Sequence, residues 1–352
     1  MSSNTAEKGT ITWQSPSNIA LVKYWGKHGN QLPRNPSLSM TLKESSTTTT
    51  LSYKKRLPGR EVALQFLFDG TPNKTFEKRI AAYLNSLLAD YPFLAAYNLT
   101  LDSSNTFPHS SGIASSAAAF SALALCVMSL KQIVAGEQEE SSFFREASQL
   151  ARLGSGSACR SVYGGYSVWG SLSNVSGYSD EYAVPLLSEV HPVFQSFYDT
   201  ILIVSAEKKK VGSSAGHALM ERHPFALSRF RQANEHTAEL IEVLKSGDLK
   251  RYIEVVENEA LTLHGLMMSS TPGFILIRKE TIEIIEKIRE FRKTENIPVA
   301  FTLDAGPNVH VLYPAAHRAG VMKFIKEELE ELCDERRWID DSLGTGPKQL
   351  KG

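Results

Sequence analysis

Five short stretches of this sequence combine residue types that bind phosphate, hold a carboxylate or transfer a proton. They are residues 18–27 (NIALVKYWGK), 110–119 (SSGIASSAAA), 151–165 (ARLGSGSACRSVYGG), 206–214 (AEKKKVGSS) and 301–308 (FTLDAGPN). Together they offer a serine-rich loop, several cations and one carboxylate. That set fits phosphoryl transfer, in which positioning and charge stabilisation do most of the work.

The stretch 110–119 has Ile113 as its only large side chain. Small residues let the backbone come close to another helix or to a ligand, so its composition leaves both interpretations open. A Ser- and Gly-rich loop that opens a helix presents unpaired N–H groups and the positive end of the helix dipole, which suits phosphate. The Walker pattern GxxxxGK[ST] and the Rossmann pattern GxGxxG are both absent from the sequence.

Two lysines lie close together in residues 18–27. Lys23 and Lys27 are four residues apart, with Tyr24 and Trp25 between them. The lysines share a face if the segment is helical, and they project separately if it is a strand followed by a turn. A solvated basic face is the commoner role for such lysines, and binding of an anion is the alternative.

Residues 151–165 place two serines and an arginine after a predicted helix. Arg160 can hold a carboxylate or a phosphate through two hydrogen bonds. Ser155 and Ser157 can donate hydrogen bonds to phosphate oxygens. A capped turn that leads into a strand explains the same residues equally well.

Asp304 ends an apolar strand at a Gly-Pro turn. Aspartates at such positions are usually turn formers, because the side chain hydrogen-bonds to nearby backbone. A catalytic carboxylate is the alternative. The basic stretch 206–214 predicts either a solvated loop or a mobile loop that closes over phosphates.

The overall composition excludes several function classes. The chain has 352 residues, with 38 basic and 38 acidic side chains and a pI near 7.1. No charge excess suits nucleic acid or an anionic membrane, so we expect neither partner and a local site for a small anion. Three widely spaced cysteines predict no disulfide framework and no zinc site. The polar N-terminal residues lack the apolar core of a signal peptide, so we expect a cytoplasmic protein.

Hydrophobic patterning predicts an α+β chain in two domains, residues 1–190 and 191–352. Strands are expected at residues 37–53, 61–68, 98–102, 165–169 and 200–204. Helices are expected from residue 75 and at 112–134, 143–153, 224–244, 249–268, 274–292 and 315–333. A strand, a turn and a second strand are expected over 298–313.

Six motifs then occur in one order: NIALVKYWGK, NPSLSMTL, SSNTFPHSSGIASSAAA, ARLGSGSACRSVYGG, SAEKK and FTLDAGPN. On these motifs, from about residue 18 to residue 308, the chain resembles the diphosphomevalonate decarboxylase family of the GHMP kinase superfamily. The resemblance implies a first domain with a phosphate loop, a second, ferredoxin-like domain, and an active-site cleft between them. It implies ATP-dependent decarboxylation of mevalonate 5-diphosphate to isopentenyl diphosphate, with ATP as co-substrate, Mg²⁺ as cofactor and a homodimeric assembly.

The resemblance also implies roles for individual residues. Asp304 would orient or deprotonate the C3 hydroxyl, with Lys23 near the phosphoryl path and Arg160 on the substrate carboxylate. The substrate would contact Lys23, Tyr24, Ser155, Ser157 and Arg160. ATP would contact Ser110, Gly112, Ala114, Ser115, Ser116, Lys208 and Ser213. Ser116 would lie near Mg²⁺ bound to the ATP phosphates.

Three alternatives stay open. A phosphomevalonate decarboxylase would act on the monophosphate, and a mevalonate 3-kinase would phosphorylate without elimination. A noncatalytic protein of the same fold would bind the phosphate ligand without turnover.

Overall fold

The computed structural model describes residues 7–107, 114–136, 140–186, 188–207 and 213–352; the side chains of residues 140, 141, 213 and 214 are not described. The strands are β1 (Lys8–Val22), β2 (Lys27–His28), β3 (Leu32–Pro33), β4 (Ser37–Lys55), β5 (Ala63–Phe68), β6 (Thr71–Pro72), β7 (Tyr97–Asn105), β8 (Tyr166–Trp169), β9 (Ala183–Pro185), β10 (Phe197–Leu202), β11 (Ala300–Leu303), β12 (Val309–Pro314), β13 (Trp338–Ser342) and β14 (Lys348–Lys351). The helices are α1 (Lys74–Ser86), α2 (Ser115–Ala135), α3 (Glu140–Gly154), α4 (Pro192–Gln195), α5 (Ser213–Leu219), α6 (Ala226–Ser246), α7 (Leu249–Ser269), α8 (Lys279–Glu295) and α9 (Arg318–Phe324).

The strands form two main sheets. The first has the order β14-β1-β4-β7-β5-β6, with β8 and β9 branching from β4. The second has the order β11-β12-β10-β13. Strand β14, at the end of the chain, pairs with β1 and so returns to the first sheet.

The first strand pairs irregularly with its neighbours. β1 pairs with both β4 and β14, and its register with β4 shifts between Pro16 and Asn18 and again between Ala20 and Val22. Proline lacks a backbone N–H, so within a sheet it is tolerated at such irregularities. The segment 18–27 is therefore a strand followed by a turn, which resolves the two alternatives for Lys23 and Lys27.

Helix α2 is the central helix of the first layer. It is long and apolar enough to cross a membrane, but 72% of that apolar window is buried inside the protein. Its side chains pack with those of β1, β4 and α3 in the core beneath the first sheet. An apolar surface on all sides is expected of a helix that is buried all round.

Two further cores hold the second half of the chain in place. One lies between the two sheets and joins Ile19 and Met40 of the first half to Ile201 and Leu312 of the second. The other packs α8 and α9 on the far face of the second sheet.

Most of the predicted elements are confirmed, several with ends shifted by a few residues, and two differ more in extent. Helix α8 begins at Lys279 instead of residue 274. The predicted helix 315–333 is the short α9 followed by a π turn and a 3₁₀ turn. The division of the chain at residues 190 and 191 stays a prediction.

Asp341 joins the two sheets by hydrogen bonds to backbone. Its carboxylate is buried and accepts N–H groups from Lys43, Glu44, Ser45 and Ser342, each at 2.8 Å. Three of these N–H groups belong to β4, whereas Asp341 belongs to β13. The carboxylate therefore fixes the second sheet against the longest strand of the first.

We expect Asp341→Asn to lower the free energy of unfolding by about 2–4 kcal/mol, because one amide NH₂ would face buried N–H donors that need an acceptor. Urea denaturation would measure this. As a control, Glu328→Gln at an exposed pair with Lys287 should change stability by less than about 1 kcal/mol. Equal stability of Asp341→Asn and the native chain would contradict the role of Asp341.

Candidate active site

A cavity of about 360 Å³ lies where the first and second halves of the chain meet. Its walls are the end of β1 with the following turn, the start of α2, the 3₁₀ helix Gly156–Val162 and the turn between β11 and β12. The predicted site residues that line it are Lys23, Tyr24, Ala114, Ser116, Ser155, Ser157, Arg160 and Asp304. Residues that are distant in the sequence therefore share one cavity.

Lys23 and Asp304 form an ion pair in this cavity. Nζ of Lys23 lies 3.3 Å from Oδ1 of Asp304 and donates to the carbonyl of Ala20 at 2.5 Å. The Lys23 side chain is 2% exposed and that of Asp304 is 27% exposed, so the carboxylate is open to a ligand. Burial lowers the pKa of Lys23, and the Asp304 carboxylate opposes that shift. The pair can orient a hydroxyl and stabilise negative charge beside it.

The backbone of Lys23 is held by a buried ion pair from the second half of the chain. Glu259 on α7 accepts the N–H of Lys23 at 2.9 Å, and Arg229 on α6 donates to the carbonyl of Lys23 at 2.9 Å. Arg229 and Glu259 make two hydrogen bonds to each other, both at 2.6 Å. Burial raises the pKa of Glu259, but Arg229, His236 and the Lys23 N–H outweigh burial and lower it to about 2. Lys23 is thus fixed at its backbone by residues of α6 and α7.

We expect Glu259→Gln to lower the free energy of unfolding by about 3–5 kcal/mol near neutral pH, because it leaves the Arg229 charge buried without its partner. The pKa of Glu259 is lowered in the folded protein, so its contribution is complete above about pH 4.5 and is lost as pH falls toward 2. Urea denaturation at pH 7 and pH 3 would test both points. If the native chain and the variant differed as much in free energy of unfolding at pH 3 as at pH 7, this account would be contradicted.

Arg160 is a buried cation that faces the cavity. Its side chain donates from Nη1 to Ser37 Oγ at 2.5 Å and from Nε to Asn18 Oδ1 at 3.3 Å, and the residue is 2% exposed. Among the described residues, no carboxylate forms an ion pair with it. Burial lowers the pKa of Arg160. Because a buried guanidinium without an anionic partner is costly, an anionic ligand would be bound strongly here.

Hydroxyl groups and a helix start form the adjoining wall. Ser116 Oγ lies 3.2 Å from Ser155 Oγ, and Ser157 lines the same wall. Helix α2 begins at Ser115, directly after Ala114 in a left-handed conformation with φ of 41°. The first amides of a helix lack intrahelical partners and lie at the positive end of its dipole. This wall can therefore bind phosphate oxygens.

Tyr24 contributes a buried hydroxyl. Its ring packs on Trp169 at 4.6 Å and on His217 at 4.2 Å between centroids. Its oxygen has no hydrogen-bond partner among the described residues. Burial raises the pKa of Tyr24, so the phenol stays protonated and can donate to a ligand.

Three predicted ATP-binding residues, Ser110, Gly112 and Lys208, lie outside the described residues. Ser213 is the first residue of α5, and its side chain is not described. Their roles stay predictions.

The sequence analysis missed an apolar cavity of about 270 Å³ beside the start of α2. It is lined by Phe66, Phe68, Phe76, Arg79, Ile80, Leu101, Phe120 and Leu123, and also by Ser115 and Ser116. The two serines place it next to the phosphate-binding wall, and Arg79 lines both cavities. Its apolar residues follow ordinary strand and helix periodicity, so their pattern predicted only core packing.

Lys27, Gln31 and His217 also line the first cavity and were not among the predicted site residues. Lys27 was noted for its charge, but a solvated face explained it equally well. Nothing in the spacing around His217 distinguishes it from a residue on an ordinary helix.

Comparisons with known proteins identify the family of this chain. The chain matches the family model "Diphosphomevalonate decarboxylase-like N-terminal domain" over residues 15–182 and the model "Mevalonate 5-diphosphate decarboxylase C-terminal domain" over 200–346. A curated diphosphomevalonate decarboxylase from Eremothecium gossypii is 32% identical over 332 residues, which cover 88% of this chain and 79% of the relative. The chain belongs to the diphosphomevalonate decarboxylase family.

Solved structures of diphosphomevalonate decarboxylases share the whole fold. The crystal structure of mevalonate diphosphate decarboxylase from Staphylococcus aureus is 29% identical, with a TM-score of 0.83 and coverage of 98% of both chains. The complex of MDDEF with MVAPP, AMPPCP and magnesium is 27% identical, with a TM-score of 0.80 and coverage of 97% of this chain and 99% of the other. The expected two-domain GHMP kinase fold is confirmed.

Proposed function

We infer that this chain catalyses the ATP-dependent decarboxylation of mevalonate 5-diphosphate to isopentenyl diphosphate, with release of CO₂, ADP and phosphate. The observation that carries the proposal is the meeting of Lys23, Asp304 and Arg160 in one cavity beside a serine-lined helix start. Membership in the diphosphomevalonate decarboxylase family supports it independently.

The first step phosphorylates the tertiary C3 hydroxyl. Asp304 orients this hydroxyl and takes its proton as the oxygen attacks the γ-phosphorus of ATP, and ADP leaves with the electrons of the broken P–O bond. Lys23 Nζ, 3.3 Å from Asp304, balances the charge of the carboxylate and faces the charge that develops on the phosphoryl oxygens. The clamp of Glu259 and Arg229 on the Lys23 backbone fixes the direction of that ammonium group.

The second step eliminates phosphate and CO₂ together. The C3–O bond breaks with its electrons going to phosphate, and positive charge develops at C3. The electrons of the bond between the carboxylate carbon and C2 then form the C2–C3 double bond, and CO₂ leaves. Arg160 holds the carboxylate so that the breaking C–C bond aligns with the C3–O bond.

The remaining contacts bind the two substrates. Tyr24, Ser155 and Ser157 donate to the diphosphate of mevalonate 5-diphosphate. Ser115, Ser116 and the first amides of α2 bind the ATP phosphates, with Ser110, Gly112, Ala114, Lys208 and Ser213 as the other predicted contacts. The apolar cavity that adjoins Ser116 takes the nucleotide base.

Magnesium fits this site as a partner of nucleotide phosphates. The described residues contain no cluster of three His, Cys, Asp or Glu side chains that would hold a metal by itself. Mg²⁺ usually keeps several waters and binds through few protein groups plus substrate phosphates, and the Ser116 hydroxyl is suitably placed beside the helix start. When bound, Mg²⁺ neutralises charge on the β- and γ-phosphates.

Assays with ATP and each mevalonate phosphate separate the proposal from its alternatives. We expect equal amounts of CO₂ and ADP from mevalonate 5-diphosphate and a much lower kcat/KM with the 5-monophosphate. Preference for the monophosphate would favour a phosphomevalonate decarboxylase, and ADP without CO₂ would favour a 3-kinase. Binding of both ligands without ADP would favour a noncatalytic protein.

We also propose a cytoplasmic homodimer with no nucleic-acid or membrane partner and with a domain boundary near residue 190. The buried free thiols of Cys126, Cys159 and Cys333 suit a reducing compartment.

The matches to the two family models support the proposed domain boundary, because the first ends at residue 182 and the second begins at residue 200. Light scattering would test the dimer, since a monomer at micromolar concentration would contradict it.

A further inference from the structure

His217 is a titratable residue of the cavity that the mechanism above does not use. It lies on α5 and is 8% exposed. Its ring packs between Tyr24, at 4.2 Å, and Trp25, at 4.8 Å between centroids. These two aromatic contacts fix the plane of the imidazole at the cavity wall.

The hydrogen bond to Gly26 fixes the tautomer of His217. The N–H of Gly26 donates to Nδ1 at 2.9 Å, so Nδ1 is an acceptor and carries no proton. Burial, together with the charges of Lys27 and Arg160, lowers the pKa of His217 to about 3. The ring is therefore neutral near pH 7, and its single proton lies on Nε2.

Nε2 has no hydrogen-bond partner among the described residues, although His217 lines the cavity. Its donor neighbours there are the Tyr24 hydroxyl, which also has no partner in the described chain, and the Lys27 ammonium. Lys27 donates to Gln31 at 2.9 Å, and both residues line the cavity. Three donors in one cavity match a ligand that only accepts hydrogen bonds, such as a phosphate.

The contact with Tyr24 indicates which part of the substrate His217 meets. Lys23 and Asp304 mark the reacting C3 hydroxyl, whereas Tyr24, against which the His217 ring packs at 4.2 Å, is assigned above to the diphosphate. We propose that His217 donates its Nε2 proton to the 5-diphosphate of the substrate and, with Lys27, selects the diphosphate over the monophosphate. This inference rests on the proposed substrate. A neutral donor adds a hydrogen bond without adding repulsion to Arg160 and Lys27.

Substitution of His217 by Asn or by Gln distinguishes the roles of its two ring nitrogens. The amide oxygen of Asn can take the place of Nδ1 and accept from Gly26, but Asn has no group at the position of Nε2. The amide of Gln reaches the position of Nε2 and can donate there. The pair therefore distinguishes a hydrogen bond to the substrate from packing between Tyr24 and Trp25.

We expect His217→Asn to raise KM for mevalonate 5-diphosphate about tenfold, the effect of one hydrogen bond to a charged group. Its kcat should change less than threefold, and KM for ATP should not change. His217→Gln should recover most of the lost affinity. The preference for the diphosphate over the monophosphate in kcat/KM should fall about tenfold in His217→Asn and much less in His217→Gln.

Calorimetric titration of the native chain and of both variants with mevalonate 5-diphosphate compares their affinities for this substrate without turnover. It tests His217 even if the native chain releases no CO₂, a result that would overturn only the proposed reaction. Unchanged affinity in His217→Asn would overturn the inference. So would an equal loss in both variants with lowered melting temperatures, because that pattern indicates packing.

Discussion

Asp304→Asn should reduce kcat for CO₂ release by at least about a thousandfold, within the range that general-base catalysis contributes. The amide keeps the shape of the side chain but cannot accept the proton of the C3 hydroxyl. It also removes the charge that opposes the effect of burial on Lys23, so the pKa of Lys23 should fall further. Single-turnover assays of ADP and CO₂ would show both products lost together, because phosphorylation comes first.

Asp340→Asn is a matched control for this variant. The side chains of Asp304 and Asp340 are equally exposed, at 27%, and each pairs with one cation, Lys23 or Arg318. Asp340 does not line the cavity, so its variant should keep kcat within about twofold. Both variants should bind ATP and melt cooperatively. Native-rate CO₂ release by Asp304→Asn would show that another group takes the proton.

The sequence predicted the members of the site better than their arrangement. Residues 23, 160 and 304 each had an ordinary structural explanation, and only the resemblance to a family joined them. Asp304 lies in the turn, where its backbone carbonyl accepts the N–H of Gly306 at 2.7 Å, and its carboxylate faces Lys23. A residue in a turn can therefore present its carboxylate to a cavity, which local patterns cannot reveal.

The clamp on Lys23 could not be predicted from the sequence. Arg229 and Glu259 lie on amphipathic helices, where charged residues usually mark the solvated face. Both are nevertheless buried, because their charges meet each other and the backbone of Lys23. Such a contact depends on how α6 and α7 pack against the end of β1, and periodicity within one helix carries no information about that.

Packing between elements also determines the two cavities, so neither could be predicted from the sequence. The strands and helices that line the apolar cavity have the pattern of ordinary core elements, and a gap between them arises only from three-dimensional packing. The irregular register of β1 likewise depends on its pairing with β4. Sequence patterns therefore predicted the layers and most helix bounds, whereas packing between layers determined the shape of the site.

Arg160→Ala should reduce kcat/KM for mevalonate 5-diphosphate by about 150-fold or more, equivalent to about 3 kcal/mol of transition-state stabilisation. The variant loses a charged, two-pronged donor from a buried position where the substrate carboxylate has no other cation assigned to it. Arg160→Lys should recover part of the loss, because it keeps the charge but not the planar fork. Arg152→Ala is the control, since Arg152 is buried but donates to backbone carbonyls of Asn30 and Glu181 and does not line the cavity.

The ratio of the two products tests what Arg160 does once the substrate is bound. A residue that aligns the carboxylate for elimination acts after phosphoryl transfer, so Arg160→Ala should form CO₂ more slowly than ADP in a single turnover. A residue that only binds the substrate would lower both rates equally at subsaturating substrate and neither at saturation. A loss of less than about tenfold in kcat/KM would contradict the assignment of Arg160 to the carboxylate. So would a variant that, at saturating substrate, forms both CO₂ and ADP at the rates of the native chain.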